Sequence, residues 1–132
     1  MRQGGFQNKL GLVAMHANAT MTLGFQHIPQ PVRIVTVHYL KSYGDAWKNS
    51  RLRFQLEIFF NNDNPQQTKM MMIHHQESFE LEGVHDQNVS ISYVHRLDLG
   101  RNAEAPMGSS IRFRMELVGG QTFKINALMC CS

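Results

Sequence analysis

Residues 51–60 alternate: Leu52, Phe54, Leu56, Ile58 and Phe60 fall on one face, Arg51, Arg53, Gln55 and Glu57 on the other. A period of two marks a strand with one face on a core and the other in solvent. The pattern returns in Ile111–Leu117, with Ile111, Phe113, Met115 and Leu117 inward and Arg112, Arg114 and Glu116 outward. Val32–Leu40 and Val89–Leu97 are rich in β-branched and aromatic residues and follow turn formers, Pro29 and Pro31 in one case, Asp86, Gln87 and Asn88 in the other. Met21–Phe25, Lys69–His74, Ser78–Glu82 and Thr122–Met129 are shorter candidates. No window carries a helical stripe with capped ends.

Breakers separate these strands: Gly44, the polar stretch Asn61–Gln67 with Pro65, Gly83, Gly100 with Pro106 and Gly108, and the Gly119-Gly120 pair suited to a tight hairpin. The Gly- and Gln-rich residues 1–15 read as a flexible or edge-strand lead-in, with one extra strand near Leu10–Met15. The 132 residues fit a single domain, with 42% hydrophobic and 17% charged residues, a globular balance.

The two halves of the chain, about 20–75 and 77–130, look alike. Val32–Lys41 and Val89–Asp98 share V-x-I-x-x-V-H-x-L, and Arg53–Ile58 matches Arg112–Leu117 in R-F-x-x-E. Each half then reads as four strands. The expected fold is all-β: an eight-stranded antiparallel β-sandwich, jelly-roll-like, built from two pseudo-repeated four-stranded halves. The competing explanation is that unrelated strands share alternation and β-formers by necessity.

Charge and hydropathy narrow the partners. The net charge of +3 is not gathered into a basic run, which argues against nucleic acid. No apolar run approaches the roughly 20 residues that span a bilayer, so membrane insertion is not expected. Two N-x-S/T sequons, Asn18-Ala19-Thr20 and Asn88-Val89-Ser90, permit a lumenal or extracellular glycoprotein. The N-terminus lacks a signal-peptide core, so that location would imply release from a longer precursor. Cys130 and Cys131 are adjacent and badly placed for a mutual disulfide. They read as a buried thiol beside a half-exposed one.

The connection Lys41–Ser50 holds Tyr43, Asp45, Trp47 and Asn49; its counterpart in the second half, Asp98–Ser110, holds Arg101 and Glu104. Aromatic rings can cover the apolar face of a pyranose while Asp, Asn, Arg and Glu meet its hydroxyls. These six residues are the candidate ligand-binding set. The alternative for Tyr43 and Trp47 is that they anchor the loop over the end of the core. The outward Arg51, Arg53, Arg112 and Arg114 would suit carboxylate, sulfate or phosphate, unless Glu57 and Glu116 neutralise them locally.

Metal and catalytic signals are weak. His74 and His75 are adjacent and would point to opposite faces of a strand, unlike the spaced histidines of a cupin, and His38 and His95 read as paired structural residues. Met70-Met71-Met72 reads as a strand buried in part on both sides. No nucleophile elbow, Walker loop or zinc-type Cys pairing occurs. No metal, cofactor or catalytic residue is assigned.

The stretch H-Y-L-K-S-Y-G-D-A-W at 38–47, the preceding P-x-P and the F-x-I-x-x-L-x-C ending resemble accessory β-domains of plant and algal secretory proteins. Those domains follow an SGNH-type esterase-like region, and the strand before the loop ends in Y-L-[KR]-S-Y. Tyr39, Leu40, Lys41, Ser42, Tyr43 and Gly44 are the matching positions, within a likeness that covers about two-thirds of the chain. The resemblance implies a noncatalytic module in the secretory lumen or outside the cell, beside a glycan-acting catalytic domain of the same precursor. No Ser-Gly-Asn-His blocks occur, so no catalytic residue carries over. The sequence thus points to a noncatalytic module binding a glycan or glycoconjugate. Alternatives are a structural module docking onto other domains or subunits and a cupin-like metal-dependent enzyme.

Overall fold

The computed structural model describes residues 5–8, 18–60 and 72–132. Among the described residues, eight strands form two four-stranded antiparallel sheets. The first has the order β1 (Gly5–Asn8), β8 (Lys124–Cys131), β3 (Ile34–Lys41), β6 (Ile91–Asp98); the second has β2 (Thr20–Phe25), β7 (Ser110–Gly119), β4 (Arg51–Phe60), β5 (Met72–Glu82). Strands therefore pair 1 with 8, 2 with 7, 3 with 6 and 4 with 5, as if one long hairpin were wound into a sandwich. This is the jelly roll.

The alternation in β4 and β7 supplies the centre of the core. Leu52, Phe54, Leu56 and Ile58 are buried against Ile111, Phe113, Met115 and Leu117 of the neighbouring strand, and Val35, Val37, Ile125 and Leu128 close over them from the other sheet. A chain of rings crosses the molecule. Phe25 meets Phe113 edge-on at 6.0 Å, Phe113 meets Phe54 at 5.5 Å, Phe54 stacks on Phe79 at 5.0 Å, and Phe79 stacks on His95 of the opposite sheet at 4.2 Å.

Three sequence expectations are corrected. Lys69–His74 and Ser78–Glu82 are not separate strands: their described parts belong to the single strand β5, because His74-His75-Gln76-Glu77 contains no turn former and its ladder to β4 runs on. The boundary between the supposed halves falls inside that strand, and the eighth strand is β1. The expected strand near Leu10–Met15 lies outside the described residues.

The second correction concerns the repeat. Its R-F-x-x-E segments do lie in the same phase, with Phe54 and Phe113 both inward. The V-x-I-x-x-V-H segments do not: Val37 is 1% exposed, whereas its counterpart Val94 is 57% exposed. On β6 the inward set is Tyr93, His95 and Leu97, so the aligned residues point to opposite faces. A slip of one residue reverses every side chain on a strand. His38 and His95 are accordingly not a structural pair.

Third, Phe60 does not join the core. The ladder to β5 shifts between Ile58 and Phe59, leaving the Phe60 ring tilted against His74 at 4.6 Å and Phe59 buried under the Arg112 guanidinium at 4.8 Å.

The terminal thiols fall as their spacing predicts: Cys130 is buried, Cys131 half-exposed, and both are free. Burial, with a smaller contribution from Cys131, pushes the Cys130 thiol up to about 12. In native protein near pH 8, Cys130 should therefore react with a thiol reagent only as fast as the protein opens. Rapid labelling of both cysteines would contradict that placement.

The reversed phase gives a sharp comparison. Val37→Ala should lower unfolding free energy by about 1.5–3 kcal/mol, and Val94→Ala should stay within about 0.5 kcal/mol of the parent. Urea denaturation of the two variants measures both.

Candidate functional site

The paired strands run antiparallel, and this decides where the expected site residues go. Lys41, at the end of β3, lies beside Ile91 at the start of β6, and Ile34 lies beside Asp98. The loop 41–50 therefore leaves one end of the sandwich and the loop 98–110 leaves the other. Tyr43, Asp45, Trp47 and Asn49 stay together. Arg101 and Glu104 are removed from them by the length of a strand, about 25–30 Å. The six residues do not form one site.

Glu104 has a structural setting at its own end. Its carboxylate pairs with Arg33 at 3.6 Å, and its carbonyl lies 2.9 Å from His74 Nε2. Val32 and Ala105 exchange backbone hydrogen bonds beside it, at 2.9 and 2.8 Å. Arg101 is exposed in the same loop.

At the other end, two buried serines hold the base of the 41–50 loop. The Ser42 N–H donates to Gly83 O at 3.0 Å, and His85 N–H donates to Ser42 O at 2.6 Å. The Ser42 hydroxyl shares a 2.7 Å bond with that of Ser90. Gly83 N–H donates to Ser50 O at 2.9 Å, and the Ser50 hydroxyl donates to Thr122 O at 2.5 Å. Three loops are thus tied at their roots by groups that burial would otherwise leave unsatisfied.

Between these anchors the chain arches outward. Gly44 at φ 94° and Asn49 at φ 59° turn it on either side of a short 3-10 turn, Asp45–Trp47. Both residue types tolerate the left-handed region. Tyr43 is 44% exposed and Trp47 is half-buried, and neither ring packs against the core.

Beside this arch lies a cleft of about 280 Å³ lined by Asn49, Ser50, Arg51, Glu82, Val84 and Gly119. Arg51 is ion-paired with Glu80 at 3.4 Å, both half in solvent, so the pair adds little to stability and leaves polar atoms to meet a ligand. Gly119 admits the close approach of its strand end, since a Cβ there would lie 2.5 Å from Asn49 O. Tyr39 lies inward at this end, and its phenol is shifted upward by burial and then by Tyr93 and Glu82. Glu82 and Val84 were not legible as site residues, because only the pairing of β4 with β5 brings 82–84 against 49–51.

Residues 39–44 build this corner. Tyr39 enters the core, Leu40 faces out, the Lys41 ammonium sits 4.7 Å over the Tyr93 ring, Ser42 is pinned and Gly44 turns the chain. Of the six matching residues, Tyr43 projects into solvent.

The histidines occupy separate surroundings. His74 is at Phe60, His75 lies 3.3 Å from Glu77, His95 is on Phe79, and His38 Nε2 lies 3.5 Å from Thr36 Oγ1. Among the described residues no group of three His, Cys, Asp or Glu could hold a metal ion, and no helix is long and apolar enough to cross a membrane.

No family model matches the chain, and no curated protein matches it in sequence. Solved structures align with it in three dimensions. The VP2 subviral particle of infectious bursal disease virus aligns with TM-score 0.50 at 8% identity, over 98% of this chain and 32% of VP2. TmCBM61 in complex with β-1,4-galactotriose aligns at 0.42 and 13% identity, over 92% of this chain and 69% of that one. A family 16 carbohydrate-binding module aligns at 0.38 and 8%, over 93% and 71%. The likeness to VP2 is one of fold, and the chain spans about a third of that protein's length.

The three-loop junction predicts its own weak point. A Cβ on Gly83 would collide with the Ser50 hydroxyl and lie 2.9 Å from the Phe123 ring. Gly83→Ala should lower stability by about 1–3 kcal/mol in urea unfolding. An unchanged midpoint would show that the loops are not packed this tightly.

Proposed function

We propose that this domain is a noncatalytic binding module that takes up a glycan at the end formed by the 41–50 loop. One observation carries the reading: Tyr43 and Trp47 lie outside the core cluster, on the loop whose Asn49 lines a cleft of mixed polarity with Arg51, Glu82 and Val84. Rings supply a flat apolar surface for the C–H face of a sugar. Amide, guanidinium and carboxylate groups supply donors and acceptors for its hydroxyls.

The resemblance at 39–44 supports placing the module beside a glycan-acting domain of a longer secretory precursor. The sequons fit that setting, since Asn18 and Asn88 are both exposed. Both also lie at the cleft end, Asn18 bonded to Leu117 near the end of β7 and Asn88 in the loop before β6.

A glycan array followed by titration calorimetry tests the proposal. Tyr43→Ala and Trp47→Ala should each weaken binding by roughly fivefold or more, while Arg101→Ala, at the far end, should leave it unchanged. Folded parent protein that binds no glycan would end this reading.

A second reading, docking onto another domain or subunit, is favoured by β6. It is an edge strand of its sheet, and Val89, Ile91 and Val94 are exposed on or next to it. Light scattering of the parent and of Val94→Lys would show self-association through that edge as a loss in the variant.

A further inference from the structure

The outer face of the second sheet carries its own groove, of about 280 Å³, lined by Thr20, Thr22, Gln55, Glu57, Arg112 and Arg114. Every lining side chain is polar. Cross-strand register places Thr22, Arg114, Gln55 and Ser78 in one row across β2, β7, β4 and β5. Residues directly opposite on neighbouring strands share a face, so the row is continuous.

The acids around this row are already engaged. Glu57 is held at 2.9 Å by Arg112, whose guanidinium also lies over Phe59. Glu116 pairs with Arg53 at 3.3 Å, and Glu80 pairs with Arg51 and Arg53. Arg114 has no ion pair among the described residues, and the Thr22 and Gln55 side chains beside it are likewise unengaged there. The groove thus presents two guanidinium groups to one carboxylate, with hydroxyl and amide donors around the uncompensated charge.

From this we infer a second binding surface, for an acidic saccharide whose carboxylate or sulfate meets Arg114 while its hydroxyls meet Thr20, Thr22 and Gln55. A guanidinium offers paired donors to either oxyanion. The polar lining has no apolar patch for peptide side chains to bury, which favours a polyhydroxylated ligand over an acidic peptide. The surface is independent of the Tyr43 and Trp47 cleft.

Proton–nitrogen NMR titration of the whole domain tests this, using tetragalacturonate, a sulfated galactotetraose, neutral galactotetraose and hexaglutamate as probes. One or both acidic saccharides should shift amides in 20–24, at 55 and in 112–114, and the stronger of the two identifies the oxyanion. Arg114→Gln should weaken that binding by roughly fivefold or more. Arg114→Lys should restore part of it, and a combined Tyr43→Ala, Trp47→Ala variant should leave it unchanged. Raising salt from about 50 to about 300 mM should weaken it further. The inference fails if neither acidic saccharide shifts these amides at roughly 10 mM. It also fails if the neutral sugar or hexaglutamate binds equally, or if Arg114→Gln binds as the parent does.

Discussion

The fold depends on the ring chain from Phe25 through Phe113, Phe54 and Phe79 to His95, because it runs the width of one sheet and crosses into the other. Each aromatic contact contributes on the order of 0.5–1.5 kcal/mol beyond the area it buries. The geometric consequence matters more than the sum. Phe54 and Phe79 set the register of β4 on β5, and Phe79 sets β5 under β6. A second group, Tyr93, Tyr39 and Phe123, then seats β6 on β3 and the entry to β8, with stacking distances of 6.0 and 5.8 Å.

That register makes the two ends of the sandwich chemically different. One end gathers the buried hydroxyls of Ser42 and Ser50 under an outward arch with two aromatic rings, beside a cleft of mixed polarity. The other spends its polar groups on internal ties, Arg33 to Glu104 and His74 to the Glu104 carbonyl. The outer faces differ as well. The second sheet shows rows of paired charge, whereas the first shows Ile34, Leu40, Val94 and Met129 among its polar residues. A ligand rich in hydroxyls and a partner protein would meet different parts of this molecule.

Strand existence was largely legible, because half-buried antiparallel strands write their burial into the alternation, and β4 and β7 do so almost without exception. Features that depend on a neighbour were not. Nothing within His74–Glu77 reports that β4 holds it straight, and nothing within Arg51–Phe60 reports a shift of ladder after Ile58. The V-x-I-x-x-V-H match was misleading for the same reason: pairing sets Val94 opposite His38 and His95 opposite Val37, so Val94 faces out where β3 buries Val37. Tyr43, Asp45, Trp47 and Asn49 share a loop and could be grouped by eye. Separating them from Arg101 and Glu104, and adding Glu82 and Val84, required the winding of the chain, which local periodicity does not encode.

The winding of the chain sends the 41–50 and 98–110 loops to opposite ends. Spin labels at Asp45→Cys and Asn102→Cys, in a Cys131→Ser background, test it directly through the distance measured by pulsed electron resonance. The jelly roll predicts one distribution centred beyond about 25 Å. A distribution centred below about 15 Å would place both loops at one site and contradict the topology described here.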